Sequence, residues 1–157
     1  MKGLAFLIGV LLLAAAVEGA TFRDGSGRMV GNSHDHGKQT IYRDSSGRVS
    51  GTAYKVGENS TIYRDSSGRV KGTATQTGNS TIYRDSSGRV SGTSRQVGNQ
   101  VIYRDSSGRV TGTATQVGNR TIYRDASGRV KGSADKNVSP VKSYGMKNSF
   151  DKNKKRR

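Results

Sequence analysis

Apolar positions along this chain fall into two regimes. Residues 4–17 form one apolar run. From residue 21 onward apolar residues are sparse and return on a fixed spacing. "TIYRDSSGRV" occupies residues 61–70 and 81–90, "VIYRDSSGRV" residues 101–110, and "TIYRDASGRV" residues 121–130. An earlier copy starts at Thr40, and a worn one, "TFRDGSGRM", starts at Thr21. Six copies with a 20-residue period result, so the internal repeat decides the fold class. Tyr42 to Tyr63 is the one interval of 21, because "VGENS" replaces "VGNS". The extra Glu58 marks the Gly-Asn segment as a loop that tolerates insertion.

Each copy carries two turn signals. Asp65-Ser66-Ser67-Gly68 suits a type I turn, with Asp first and Gly last, and Gly68 can take a positive φ and form a bulge. Gly78-Asn79 suits a two-residue II′ hairpin. Between them lie β-prone runs, "STIYR" and "RVKGTATQ". Recurrent Gly and β-branched residues argue against helix. The pattern predicts an all-β protein of antiparallel hairpin repeats, a meander curling toward a solenoid-like sheet, with Gly72 and its equivalents bending the longer strand.

Side chains alternate faces along a strand, so an even period requires both turns to hold odd, or both even, numbers of loop residues. The odd reading sets Asp65 opposite Arg69 and puts Ile62, Val70, Gly72 and Ala74 on one face. Tyr63, Arg69, Lys71, Thr73 and Thr75 then line the other. The even reading puts Tyr63 on the Val/Ala face and opposes Arg64 to Arg69. Opposed like charges are unfavourable and an Asp–Arg pair contributes about 0.2–1 kcal/mol, so the odd reading is adopted.

The core Tyr63, Asp65, Gly68, Arg69, Val70 resembles, in order, the YD repeats of the Rhs/YD-repeat family, with Arg64 inserted between Tyr and Asp. The resemblance spans nearly all of residues 21–136 and implies β hairpins strung into a curling sheet. It does not carry over toxin encapsulation, because six copies are few for a shell and no toxin domain follows.

The apolar run has the length and flanks of a secretory signal: Lys2 precedes it and small residues follow, with cleavage expected after Ala16, Gly19 or Ala20. At 14 residues it is too short to span a membrane. Three segments follow: a signal peptide (1–20), a six-copy repeat domain (21–136) and a basic, disordered tail (137–157). The mature chain is expected in the periplasm, at the cell surface or outside the cell, without a transmembrane segment. With no cysteine, disulfides and thiolate metal sites are excluded.

Charge adds a partner class. Residues 21–136 hold 19 Lys/Arg against 9 Asp/Glu, a net +10, and residues 137–157 hold 7 against 1, a net +6. Such a chain attracts nucleic acid, acidic glycan or an anionic envelope surface, although charge also serves solubility. The candidate binding residues are Tyr42, Tyr63, Tyr83, Tyr103 and Tyr123, interleaved on one face with Arg48, Arg69, Arg89, Arg109 and Arg129, plus the terminal Lys154, Lys155, Arg156 and Arg157. Aromatics among cations suit stacking together with phosphate or carboxylate contact.

No catalytic constellation or cofactor motif emerges, and the chain reads as non-enzymatic. His34 and His36 lie in one unrepeated spacer and read as solvated residues, not a metal pair. The recurrent serines lack an activating base. Two other readings compete with the binding module. "TQVGN" at residues 115–119 is similar to curli-type amyloid repeats and raises structural self-assembly, against which flanking arginines act as gatekeepers. The "TAT" triplets raise ice binding, but the other copies break the array.

Overall fold

The computed structural model describes residues 19–136. The expected tail, and all but the last two positions of the expected leader, lie outside the described residues. Twelve strands follow one another. The first six are β1 (Ala20–Asp24), β2 (Met29–His36), β3 (Gln39–Asp44), β4 (Val49–Val56), β5 (Ser60–Asp65) and β6 (Val70–Thr77). The second six are β7 (Ser80–Asp85), β8 (Val90–Val97), β9 (Gln100–Asp105), β10 (Val110–Val117), β11 (Arg120–Asp125) and β12 (Val130–Lys136). Consecutive strands pair antiparallel, as the repeat predicts.

The meander does not spiral open. β1 pairs with β12, from Ala20↔Lys136 to Asp24↔Gly132, and the sheet closes into a barrel. Closure corrects the solenoid-like curl: each described strand has two neighbours and none is left as an edge, which is the arrangement that satisfies every ladder.

The Asp turn forms as its residues dictate. The Gly68 amide donates to the Asp65 carbonyl at 3.0 Å, and the Asp65 amide to the Arg69 carbonyl at 2.9 Å. One Asp65 carboxylate oxygen accepts from the Ser67 and Arg69 amides at 2.9 and 3.0 Å. Gly68 has φ 79°, so three residues separate the paired Asp65 and Arg69. The Gly-Asn turn holds two residues, Thr77↔Ser80 being the last pair before it. In the 21-residue copy the loop is Gly57-Glu58-Asn59, closed by Val56↔Ser60, so the insertion does fall in a loop.

One loop is odd and the other even, which strict alternation forbids. A β-bulge reconciles them: Arg64 pairs with Val70, but Tyr63 pairs with Gly72, leaving Lys71 as an extra residue. The register shifts at the same place in every Asp-turn hairpin. Val70 and Lys71 therefore both lie on the face of Arg64, and the next alternation reverses. The predicted face assignment fails here. Tyr63, Gly72 and Ala74 point inward and Ile62 points outward, although the turn is the odd one.

The interior is built in layers. Phe22, Tyr42, Tyr63, Tyr83, Tyr103 and Tyr123 form an aromatic ring, each 8% exposed or less. Beside it lies a ring of small residues, Ser33, Ala53, Ala74, Ser94, Ala114 and Ala134, all buried. The third layer is glycine. A Cβ built on Gly72 would sit 2.3 Å from the Arg84 carbonyl oxygen, so the neighbouring strand's backbone fills the space of a side chain. Glycine here answers to close approach, not to a bend. Burying a large aromatic side chain contributes about 1.5–3 kcal/mol, so the six rings are the main apolar source of stability in a chain this poor in Leu and Phe.

Candidate functional site

Hairpin topology gives the barrel two unlike ends, since all Asp turns lie at one and all Gly-Asn turns at the other. The Asp-turn rim carries two arginines per copy. One set is Arg28, Arg48, Arg69, Arg89, Arg109 and Arg129, all exposed, just past the turn. The second is Arg23, Arg43, Arg64, Arg84, Arg104 and Arg124. Every member of the second set donates one guanidinium N–H to the carbonyl of its turn glycine, at 2.9–3.0 Å. Those guanidiniums are thereby held in place, and apart from Arg23, which also pairs with Asp135, they keep further donors for an oxyanion, an arrangement that reduces the entropy lost on gripping one.

The counter-charge at this rim is committed elsewhere. Six aspartates stand among the twelve arginines, and each accepts two backbone amides of its own turn. Ser46 also donates its hydroxyl to Asp44, and that bond leads in holding the carboxyl below its usual range; Ser127 does the same for Asp125. With Lys71 and Lys131 close beneath, the rim sums to +8, from fourteen cations and six carboxylates. The other half of the barrel holds five cations and three carboxylates, a net +2.

The predicted tyrosine–arginine face does not exist. Arg48, Arg69, Arg89, Arg109 and Arg129 are exposed on the rim, whereas Tyr42, Tyr63, Tyr83, Tyr103 and Tyr123 line the interior. The bulge separates them by turning the tyrosines inward. Lys154, Lys155, Arg156 and Arg157 lie outside the described residues. Arg23, Arg43, Arg64, Arg84, Arg104 and Arg124 were not among the predicted binding residues. The signal available for them was the invariant spacing of Arg before Asp in each copy.

Burial keeps the interior tyrosines protonated. It pushes the Tyr42 hydroxyl up to about 12, with the Asp35 carboxylate adding to the effect, and raises those of Tyr63, Tyr83, Tyr103 and Tyr123. Tyr83 shares a 2.9 Å hydrogen bond with Ser94, whereas the Tyr123 hydroxyl is buried with no protein hydrogen-bond partner.

At the Gly-Asn end a cavity of about 260 Å³ opens between β4 and β7. Tyr63 and Tyr83 line it together with Thr61 and Thr81, and Lys55, Glu58 and Gln76 stand around it. His34 and His36 lie elsewhere, exposed on one face of β2 opposite Ile41 and Gln39. Among the described residues no group of three or more potential ligands gathers for a metal ion. The "TAT" threonines, Thr73 and Thr75 among them, face outward on a curved wall interrupted by Tyr54 and Arg95, so they form no flat array.

No protein-family model, curated protein or solved structure matches the chain.

Proposed function

We propose that this is an exported, non-enzymatic barrel that binds a polyanion, such as nucleic acid, acidic glycan or an anionic envelope surface, through its Asp-turn rim. The observation that carries the reading is the ring of twelve arginines whose six neighbouring aspartates are engaged with their own turns. A closed ring of guanidiniums, half of them fixed by a glycine carbonyl, offers repeated forks for phosphate or carboxylate. The apolar run at residues 4–17 supports export. The basic tail adds a second cationic element, and the chain leaves the barrel toward it at Lys136, at the end opposite the rim.

Binding of a DNA duplex and of heparin across a salt series tests the proposal. Arg69, Arg89 and Arg109 hold the turn through their backbone amides, so changing all three to Ser leaves the turns intact. Affinity should drop, and for the duplex the slope of log K against log salt should fall by about 0.9 for each phosphate no longer neutralised. Removing residues 137–157 should weaken binding while leaving a salt-sensitive remainder at the rim. Unchanged binding in the triple variant would overturn the rim as the site.

A further inference from the structure

The six copies build nearly identical walls, and the cavity opens where they differ. In three other copies the residue that follows the small-residue ring on the inner face is a neutral glutamine: Gln76, Gln96 and Gln116. In the second copy it is Lys55, paired with Thr61 on the inner face, and in the first and last copies, away from the cavity, it is Asp35 and Lys136. Three residues later comes Glu58, the single insertion in the repeat. Both line the 260 Å³ cavity, together with Asn59, Thr61, Thr81, Gln76, Tyr63 and Tyr83.

Lys55 and Glu58 do not pair with each other. The only ion pairs among the described residues are those of Asp135 with Arg23 and Arg120. The backbone around the cavity is tied down: the Lys55 amide donates to the Lys38 carbonyl and the Gln76 amide to the Asn59 carbonyl, both at 2.8 Å. Gln76 also bonds the Gly78 carbonyl at 3.2 Å, which fixes its amide beside the opening. A held cavity thus carries one free cation, one free anion, and hydroxyl and amide groups in the wall.

From this arrangement we infer a binding site for a small zwitterion of amino-acid type with a polar side chain. Lys55 receives the carboxylate and Glu58 the ammonium group. Thr61, Thr81 and the Gln76 amide meet the polar side chain, each able to donate and accept. The volume admits a molecule of this size and excludes a folded chain. The inference is independent of the arginine rim, which lies at the opposite end of the barrel.

Two variants test it without endangering the fold, because each copies a sibling repeat. Lys55→Gln installs the residue found at 76, 96 and 116, and deletion of Glu58 restores the 20-residue period. Titration calorimetry with L-glutamine should show saturable one-to-one binding, weakened about tenfold by either change, the equivalent of one charge-assisted hydrogen bond. N-acetyl-L-glutamine and L-glutamine amide, each lacking one charge, should bind more weakly than L-glutamine. DNA and heparin binding should be unchanged in both variants. Failure of L-glutamine to bind at millimolar concentration would overturn the site. So would equal binding by wild type and both variants, or equal binding by glucose, which carries no charge.

Discussion

Asp135 of β12 lies 3.5 Å from Arg23 of β1 and accepts from Arg120 of β11 at 2.6 Å, so one carboxylate ties together the strands at the closing seam. The equivalent position is Thr75 or Thr115 in two inner copies and Tyr54 or Arg95 in the other two, none of them a carboxylate. The last copy thus departs from "TAT" where the sheet must recognise its own beginning, and an ion pair sets register there.

Asp135→Thr should lower the thermal midpoint modestly at neutral pH, since the pair is solvent-exposed and screened. The hydrogen bond from Arg120 leads in holding the Asp135 carboxyl below its usual range. A depressed folded-state value means the contribution is present above the unfolded pKa, about 4, and is lost as pH falls through the folded one. Thermal melts of both proteins at pH 7 and under strongly acidic conditions should therefore converge in acid. A difference that persists there would assign the effect to packing.

Two glycines of adjacent repeats should respond differently. Gly88 has φ 80° and open space around it, so Gly88→Ala should cost about 1 kcal/mol from backbone strain alone. Gly72 faces the Arg84 carbonyl, and Gly72→Ala should cost about 3 kcal/mol or more, because the obstacle is backbone. Urea denaturation of the two variants measures both. Equal losses would mean that the strands can separate locally without penalty.

The two tyrosine hydroxyls with contrasting surroundings make a paired test. Tyr83→Phe leaves the buried Ser94 hydroxyl without that partner and should cost about 1 kcal/mol. Tyr123→Phe removes a buried hydroxyl that lacks a protein partner and should be neutral or stabilising. Phe22 already occupies the same ring in the first copy. Chemical denaturation should rank Tyr123→Phe at or above wild type and Tyr83→Phe below both.

The aromatic ring also predicts an alkaline limit. Burial raises the interior hydroxyls, Tyr42 to about 12. A value raised in the fold stabilises fully below the unfolded pKa, about 10, and that stability is lost as pH rises through the folded value. Phenolate absorbance of the five interior tyrosines should therefore grow together with loss of the strand signal in circular dichroism. Ionisation of those five with structure retained would place them in contact with solvent.

The strands and turns were legible because their chemistry is local: Asp-x-x-Gly accepts its own amides and Gly-Asn closes a tight hairpin. The inward side of Tyr63 was not, because one bulge residue, Lys71, reverses the alternation while leaving turn and period unchanged. Cross-strand size offered a signal that pair charges obscured. Tyr63 faces Gly72, where a ring has room, whereas Ile62 faces Thr73. Closure was hidden for a different reason. It depends on how many copies complete a circle, a property no single repeat carries, and only the divergent ends, Phe22 and Asp135, hint at it. The cationic rim was half legible: Arg69 and its equivalents were expected in binding, but the tyrosines assigned to the same face are core.

Copy number separates a closed barrel from an open array most directly. In an array of stacked repeats each added copy brings one more interface, so insertion stabilises and deletion costs one increment. In a barrel, diameter grows roughly linearly with strand number, so cross-section grows faster than the side chains that fill it. Twelve strands with six aromatic rings set one matched condition. Deleting residues 80–99 joins Asn79 to Gln100 and leaves Asp135 at the seam, but it crowds five rings into a narrower interior. Duplicating the same residues leaves seven rings in an interior too wide for them, and loosely filled cores lose stability. Urea midpoints of both variants should fall below wild type. A midpoint that rises on duplication would show that the copies act as additive units and that filling of the interior does not set the circumference.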